Sequence, residues 1–410
     1  MQKPFIFCFR ICLIASLFIS CNNKDKNSQY IALENHLDSF FNAATNHGEI
    51  PAAVAFIEKS GKHLYHKSFG FRNLSDSIPL KKDDIFRMAS MTKGLTALAI
   101  LQLVEAGKLS IEDEVSKYLP EFEIMQVLDE VHEDTSYSSM PAIKKITIRH
   151  LLTHTSGIGY GFQNEKYNAL VIKNEISEGF EDDDRNSREN IRRIAGLPLL
   201  SEPGEKYIYG LSYDILGVII EEITGLRFDR YIKKNILDSL NMNNSYFIIP
   251  PSKQDRLVKA YEPTDTGFIP TTYPDTAYPV IQSRRYFSGG ADLCSTAEDY
   301  AMFVRMVMQG GQYKSKRILG EKYAAMMLNK QTELGEEDSY QGFGTWITNR
   351  SGADKGPMNE GAFGFGGFWD TYSWADPKED LVAVLLLQLY PTNRHQIHEK
   401  FQEIVYSHIQ

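Results

Sequence analysis

The sequence predicts an α+β fold: an antiparallel sheet flanked by terminal helices, with a mostly helical lobe inserted into it. Three observations predict it. An amphipathic run and two strand-like runs come first, strand-like runs and an amphipathic run come last, and the stretch between them is helical and loop-rich. A hairpin with a helix at each end is most simply completed by one sheet shared between the termini.

Size and composition agree with such a fold. At about 100 to 200 residues per domain, 410 residues allow two or three lobes, or one large domain with an insertion. Hydrophobic residues are 42% and charged residues 24% of the chain, which places it among ordinary globular proteins. A net charge of -9 leaves no excess of Lys and Arg to neutralise phosphates, so nucleic acid is not an expected partner.

The first 21 residues, MQKPFIFCFRICLIASLFISC, carry Lys3 and Arg10, then an apolar run from Ile11 to Ile19, then Ser20 and Cys21. The run is shorter than the roughly 20 apolar residues a bilayer requires. Its plan resembles a bacterial lipoprotein signal, with residues 1–20 removed, Cys21 lipidated and residues 21–30 (CNNKDKNSQY) forming a polar tether. A plain secretory signal or a short anchor helix is the other reading. The first reading predicts an exported protein held on a membrane through Cys21, facing the periplasm or the cell surface. Cleavage would also remove Cys8 and Cys12, leaving Cys294 as a free thiol and no disulfide framework.

Residues 31–410 form the folded part. Leu33, Leu37, Phe40, Phe41 and Ala44 recur at helical spacing over 31–46, and Gly48 stops the run. AAVAFIEK, SGK and HLYHKSFG read as strand, turn and strand. FRMASMTKGLTALAILQLVEAGKL, residues 86–109, reads as an apolar helix opened by Ser90 and ended by Gly107. From there to about residue 275 the chain reads as helical and loop-rich, and its acidic segment EISEGFEDDDRNSREN reads as a solvated loop. FGFGGFWDTYSWADPKEDLVAVLLLQL reads as two strands joined by a turn over 376–380, and Ile397, Phe401, Ile404, Val405 and Ile409 mark a closing helix. The sheet lobe is therefore expected over about 31–85 and 276–410, and the helical lobe over about 86–275.

Ser90 and Lys93 are nearly the only polar groups of the apolar run. At i and i+3 they share a helix face, and a serine hydroxyl needs an adjacent base to become a nucleophile. A lysine, ordinarily near pKa 10.4, serves as that base only where its neutral form is favoured. Alone the pattern is weak: a chain of this length holds about one Ser-x-x-Lys by chance, and a helix-capping serine beside an exposed lysine explains it equally well. No Gly-x-Ser-x-Gly elbow is present, and HTSG at 154–157 lacks the leading glycine. His150 and His154 are spaced like a zinc pair but lack an HExxH pattern or a third ligand, so no metal is expected.

Longer blocks carry more information. FRMASMTKGLTALAILQLVEAGKLSIEDEVSKYLPEF, RHLLTHTSG, LPLLSEPGEKYIYGLSYDILG and GGADLCSTAEDYAMF occur in order across most of the chain, from about Pro51 to about Leu389. In them the chain resembles the serine β-lactamase and penicillin-binding-protein superfamily, in particular its class C-like and esterase branch. The resemblance implies a β-lactamase/transpeptidase-like fold and acyl transfer without metal or cofactor. It implies Ser90 as nucleophile, Lys93 as its proton acceptor and Tyr209 as proton relay. It also implies an oxyanion hole from the N–H groups of Ser90 and Phe368, and a substrate strand carrying Phe365, Gly366 and Gly367.

Departures from the family pattern bear on the substrate. Leu211 stands where Tyr-x-Asn has its asparagine, and Phe365 where many relatives carry a cationic residue. Asp370 stands where many relatives have a second glycine. These losses point away from β-lactam and D-Ala-D-Ala substrates, although Arg284 or Arg285 could supply a replacement cation. The expected substrate-binding residues are Leu211, Phe365, Gly366, Gly367, Trp369 and Asp370, in a cleft lined by Tyr207, Tyr209, Phe365, Phe368 and Trp369. The expected activity is cleavage of a carboxylic ester or amide with esterase-like preference. A β-lactamase or cell-wall peptidase activity, and a non-catalytic binding lipoprotein of the same fold, are the alternatives.

Overall fold

The computed structural model of the protein describes residues 28–180, 185–271, 277–333, 337–391 and 395–409. Cys21 and the leader lie outside the described residues. Among those described, no helix is long and apolar enough to cross a membrane.

The sheet joins the two ends of the chain. Helix α1 (28–46) leads into β1 (Ala52–Lys59), β2 (Lys62–Asn73) and β3 (Ile78–Pro79). The C-terminal part supplies β4 (Thr332–Glu333), β5 (Ser339–Gln341), β6 (Trp346–Thr348), β7 (Phe363–Gly367), β8 (Thr371–Asp376) and β9 (Leu381–Leu386). They form one nine-stranded sheet in the order β4-β5-β6-β7-β8-β9-β1-β2-β3. The junction of the termini is the antiparallel pair β1 and β9, in register from Val54 opposite Leu386 to Lys59 opposite Leu381.

β1 and β9 are nearly continuous apolar runs because both faces of the sheet are covered. Ala53, Ala55 and Ile57 of β1, with Leu381, Ala383 and Leu385 of β9, face α1 and the C-terminal helix α5 (His395–Ile409) through Leu37, Phe41, Phe401 and Val405. Val54 and Phe56, with Val382, Val384 and Leu386, face the other way into the larger core. That core contains α2 (Thr92–Glu105), α3 (Ser212–Thr224) and α4 (Ala297–Met308). Helix α2 is buried almost all round, with eleven of its fourteen residues buried, so it runs through the junction of sheet and helical lobe.

Three expectations need correction. The C-terminal strands number three, because Phe368-Trp369-Asp370 makes a tight turn between β7 and β8, just after Gly366-Gly367; Asp370 itself takes φ 60°. The 107–275 stretch also contains two hairpins, Gln126–Val131 with Tyr137–Pro141 and Tyr261–Thr264 with Gly267–Pro270. The acidic segment is not simply a solvated loop. Ile176, Ser177, Phe180 and Asn190 are buried, and Asn186 caps a helix over Ser187–Ala195 by accepting from the Glu189 N–H.

Candidate active site

Ser90 sits in a single 3-10 turn, Ala89–Met91, which leads directly into α2. The turn is fixed from several sides. Ala89 holds a left-handed φ of 45°, rare for a residue with a Cβ, and is wholly buried. Thr92 Oγ1 donates to the Ala89 carbonyl at 2.6 Å and accepts from the Leu293 N–H at 3.0 Å, and Tyr300 OH donates to the Met91 carbonyl at 2.8 Å. The end of β7 reaches the same backbone, since a Cβ on Gly367 would lie 2.3 Å from the Met88 carbonyl oxygen.

Three side chains meet at the turn. Tyr209 OH donates to Ser90 Oγ at 2.6 Å, and Lys93 Nζ donates to the same oxygen at 3.1 Å. Lys93 is 3% exposed; its ammonium also donates to the Gly290 carbonyl at 2.9 Å, lies 3.3 Å from Tyr160 OH and stands 4.7 Å from the Tyr209 ring centroid. Ser90 remains partly exposed at the floor of a cleft of about 750 Å³. Tyr207, Tyr209, Phe365, Gly366, Trp346 and Tyr372 are among its lining residues.

His154 lies beneath this group. It is buried, holds φ 54°, and packs against Tyr207, Tyr209 and Tyr213 at ring separations of 5.8, 4.7 and 5.1 Å. Burial, reinforced by the positive charge of Lys93, pushes the imidazole well below its usual range, so it is neutral. Its Nδ1 accepts from the Gly210 N–H at 3.3 Å, next to Tyr209 in sequence. His150, four residues earlier, instead accepts the Thr147 N–H in a capping box.

Several expected cleft residues point elsewhere. Leu211 is 1% exposed within the main core. Phe365 borders the cleft floor, but its ring packs on Tyr300, Phe303 and Phe363. Trp369 is wholly buried with Ala89, Phe180 and Tyr278. Asp370 faces α5, where its Oδ1 lies 2.7 Å from His398 Nε2. Phe368 stacks on Tyr390 at 3.7 Å and does not line the cleft. Arg284 is buried in an ion pair with Asp292 at 2.5 Å, and Arg285 is exposed and absent from the lining, so neither supplies the missing cation. Gly366 is exposed on the cleft, whereas Gly367 serves the close approach to Met88.

Sequence reasoning missed Tyr160, Asp214 and Gly290. Signals existed for two of them. An aspartate within the apolar run SYDILGVII is costly to bury without a reason, and paired glycines such as Gly289-Gly290 mark a close approach of backbone.

A serine at the head of a buried helix, between a large antiparallel sheet and a helical lobe, is the plan of the β-lactamase/transpeptidase fold, and the chain is a serine hydrolase of that fold. It belongs to the Beta-lactamase family, whose model matches residues 37–405. Esterase EstB of Burkholderia gladioli is 28% identical over 377 residues, covering 87% of this chain and 90% of that protein. Lovastatin esterase of Penicillium rubens is 29% identical over 280 residues, covering 66% and 68%. The structure of EstCE1, described as a hydrolase with promiscuous acyltransferase activity, superposes with a TM-score of 0.79 at 23% identity, covering 94% of this chain and all of that one.

Proposed function

We propose that the protein is an exported serine hydrolase that cleaves a carboxylic ester, or less readily an amide, through an acyl-Ser90 intermediate. The observation that carries this reading is the placement of Ser90 Oγ within 2.6 Å of Tyr209 OH and 3.1 Å of Lys93 Nζ at the floor of an open cleft. Ser90 Oγ attacks the carbonyl carbon while its proton passes to the neutral amine form of Lys93, directly or through Tyr209, which takes the serine proton as it gives its own to the lysine. The Ser90 N–H, which donates to no backbone acceptor among the described residues, receives the oxyanion, and the resemblance supplies Phe368, just after β7, as the second donor. Collapse releases the alcohol, which takes up the transferred proton, and water cleaves the acyl-enzyme by the reverse relay.

Preference for esters is supported by the composition of the cleft. Besides Lys93, the cation on its wall is Lys355, paired with Asp338 at 2.7 Å, and nothing at the Phe365 position meets a substrate carboxylate. The esterase names of relatives agree with this preference. Export and anchoring at Cys21 rest on the leader sequence alone.

Intact mass after exposure of the mature protein to a fluorophosphonate, an aryl-ester panel and a chromogenic cephalosporin tests the reading. A covalent adduct absent from Ser90→Ala is expected, with esters turned over well ahead of the cephalosporin. Labelling that survives Ser90→Ala would sink the mechanism, and no labelling at all would favour a binding protein. Comparable turnover of the cephalosporin would overturn the ester preference.

A further inference from the structure

Behind Lys93 lies a carboxylate that the reaction above does not use. Asp214, in the first turn of α3, is 2% exposed. Its Oδ1 accepts from Tyr286 OH at 2.5 Å, and its Oδ2 is buried with no hydrogen-bond partner among the described residues. Such an oxygen is costly unless something positive or protic faces it. Gly290 shows what does. A Cβ built on Gly290 would lie 2.9 Å from Asp214 Oδ2, 3.3 Å from Lys93 Nζ and 3.4 Å from Tyr160 OH. The three polar atoms therefore converge on one point above a bare Cα, and any side chain there would separate them.

We propose that Asp214 is a positioning residue for Lys93: across Gly290, its unpaired oxygen faces the ammonium, keeps it aimed at Ser90 and sets the pH at which the lysine can accept the serine proton. This rests on the reading of Ser90 and Lys93 given above.

The surroundings define the charge balance. Lys93 is faced by Tyr160, Tyr209, neutral His154 and Asp214. Asp214 is faced by Lys93, Tyr286, Ser288 and, at longer range, by Asp292 in its pair with Arg284. Glu178, which accepts from the Gly161 N–H, adds negative charge beside both Asp214 and Tyr160. Burial raises the Asp214 carboxyl, while Ser288, Tyr286 and Lys93 oppose the rise. Asp292 is occupied by Arg284 and by the Ser288 N–H, so Asp214, with its unpaired oxygen, is the carboxylate free to face Lys93.

The sign follows directly. Removing the negative charge makes Lys93 easier to deprotonate, so the acid limb of kcat/KM, or of the fluorophosphonate labelling rate, moves to lower pH. Across Gly290 in a buried site the shift is about one to two pH units. Asp214→Asn keeps the shape of the side chain, and Tyr286→Phe tests the same carboxylate from its far side by removing the donor to Oδ1. Without the Tyr286 donor, burial drives the Asp214 carboxyl to its neutral form, so both variants are expected to move the limb downward, Tyr286→Phe by less, and Asp214→Asn to lower the plateau as the lysine loses its aim. A uniform loss of rate with the limb unmoved in both folded variants would overturn the proposal and leave Asp214 as a helix-end acid. If Asp214→Asn fails to fold, the limb in Tyr286→Phe decides alone. Retained labelling in Ser90→Ala would instead remove the reading beneath it.

Discussion

Tyr209 is held by more than its contact with Ser90. His154 packs on its ring at 4.7 Å and accepts the N–H of its neighbour Gly210, so the phenol is oriented by a neutral base that takes no proton itself. Tyr209→Phe keeps that packing and removes only the hydroxyl at 2.6 Å from Ser90. It is expected to lower kcat/KM on an aryl ester by about 10²- to 10⁴-fold, the usual scale for losing one proton-transfer group, with little change in unfolding midpoint. A loss below tenfold would remove Tyr209 from the relay. That Ser90, Lys93 and Tyr209 come together was legible because their spacing and sequence blocks specify backbone positions. Leu211, Trp369 and Asp370 were misread for the same reason: a motif gives the position of a residue, while packing decides where its side chain points. Trp369 and Asp370 lie in a turn and meet different partners, Phe180 for the one and His398 for the other.

At the scale of elements, α2 and β7 depend on each other through one glycine. A Cβ on Gly94 would lie 2.6 Å from Phe365 Cε1 and 3.0 Å from two atoms of Phe303. Those rings pack against Tyr300 and Phe363, which stand in the way of a retreat. Gly94→Val is therefore expected to cost about 1 to 3 kcal/mol, the usual range for overpacking, because valine gains little helix propensity over glycine to offset it. A lower denaturant midpoint and slower fluorophosphonate labelling should appear together, since the clash drives α2 away from the strand beside Ser90. An unchanged midpoint would show that the rings are free to move. The element pattern itself was readable where burial is two-sided: β1 and β9 announce themselves as apolar runs, and α1 and α5 by their periodicity. The turn after β7 was missed although Gly366-Gly367 precede it and its left-handed residue is an aspartate, because the bulky Phe-Trp pair reads as a continuing strand.

For the whole molecule, the seam between the lobes contains its own reporter. Phe86–Arg87 pairs antiparallel with Cys294–Ser295, with Arg87 opposite Cys294, and Tyr246 exchanges backbone hydrogen bonds with Cys294. Cys294 is 0% exposed, and burial pushes its thiol up to about 12. The thiolate is the form that reacts with alkylating agents, so the native thiol is protected twice, by lack of access and by lack of ionisation. Modification then requires the strand pair that carries Ser90's helix to open, and its rate reports the population of that opened state. In protein starting at residue 22, alkylation of Cys294 at neutral pH is expected to be at least about a thousand-fold slower than in concentrated guanidinium, given ordinary domain stabilities. A substrate analogue that acylates Ser90 ties the 3-10 turn to the cleft and should slow it further, whereas Gly94→Val should hasten it. Rapid alkylation of the native protein would mean that the seam opens readily and that Ser90 is not held by a rigid junction.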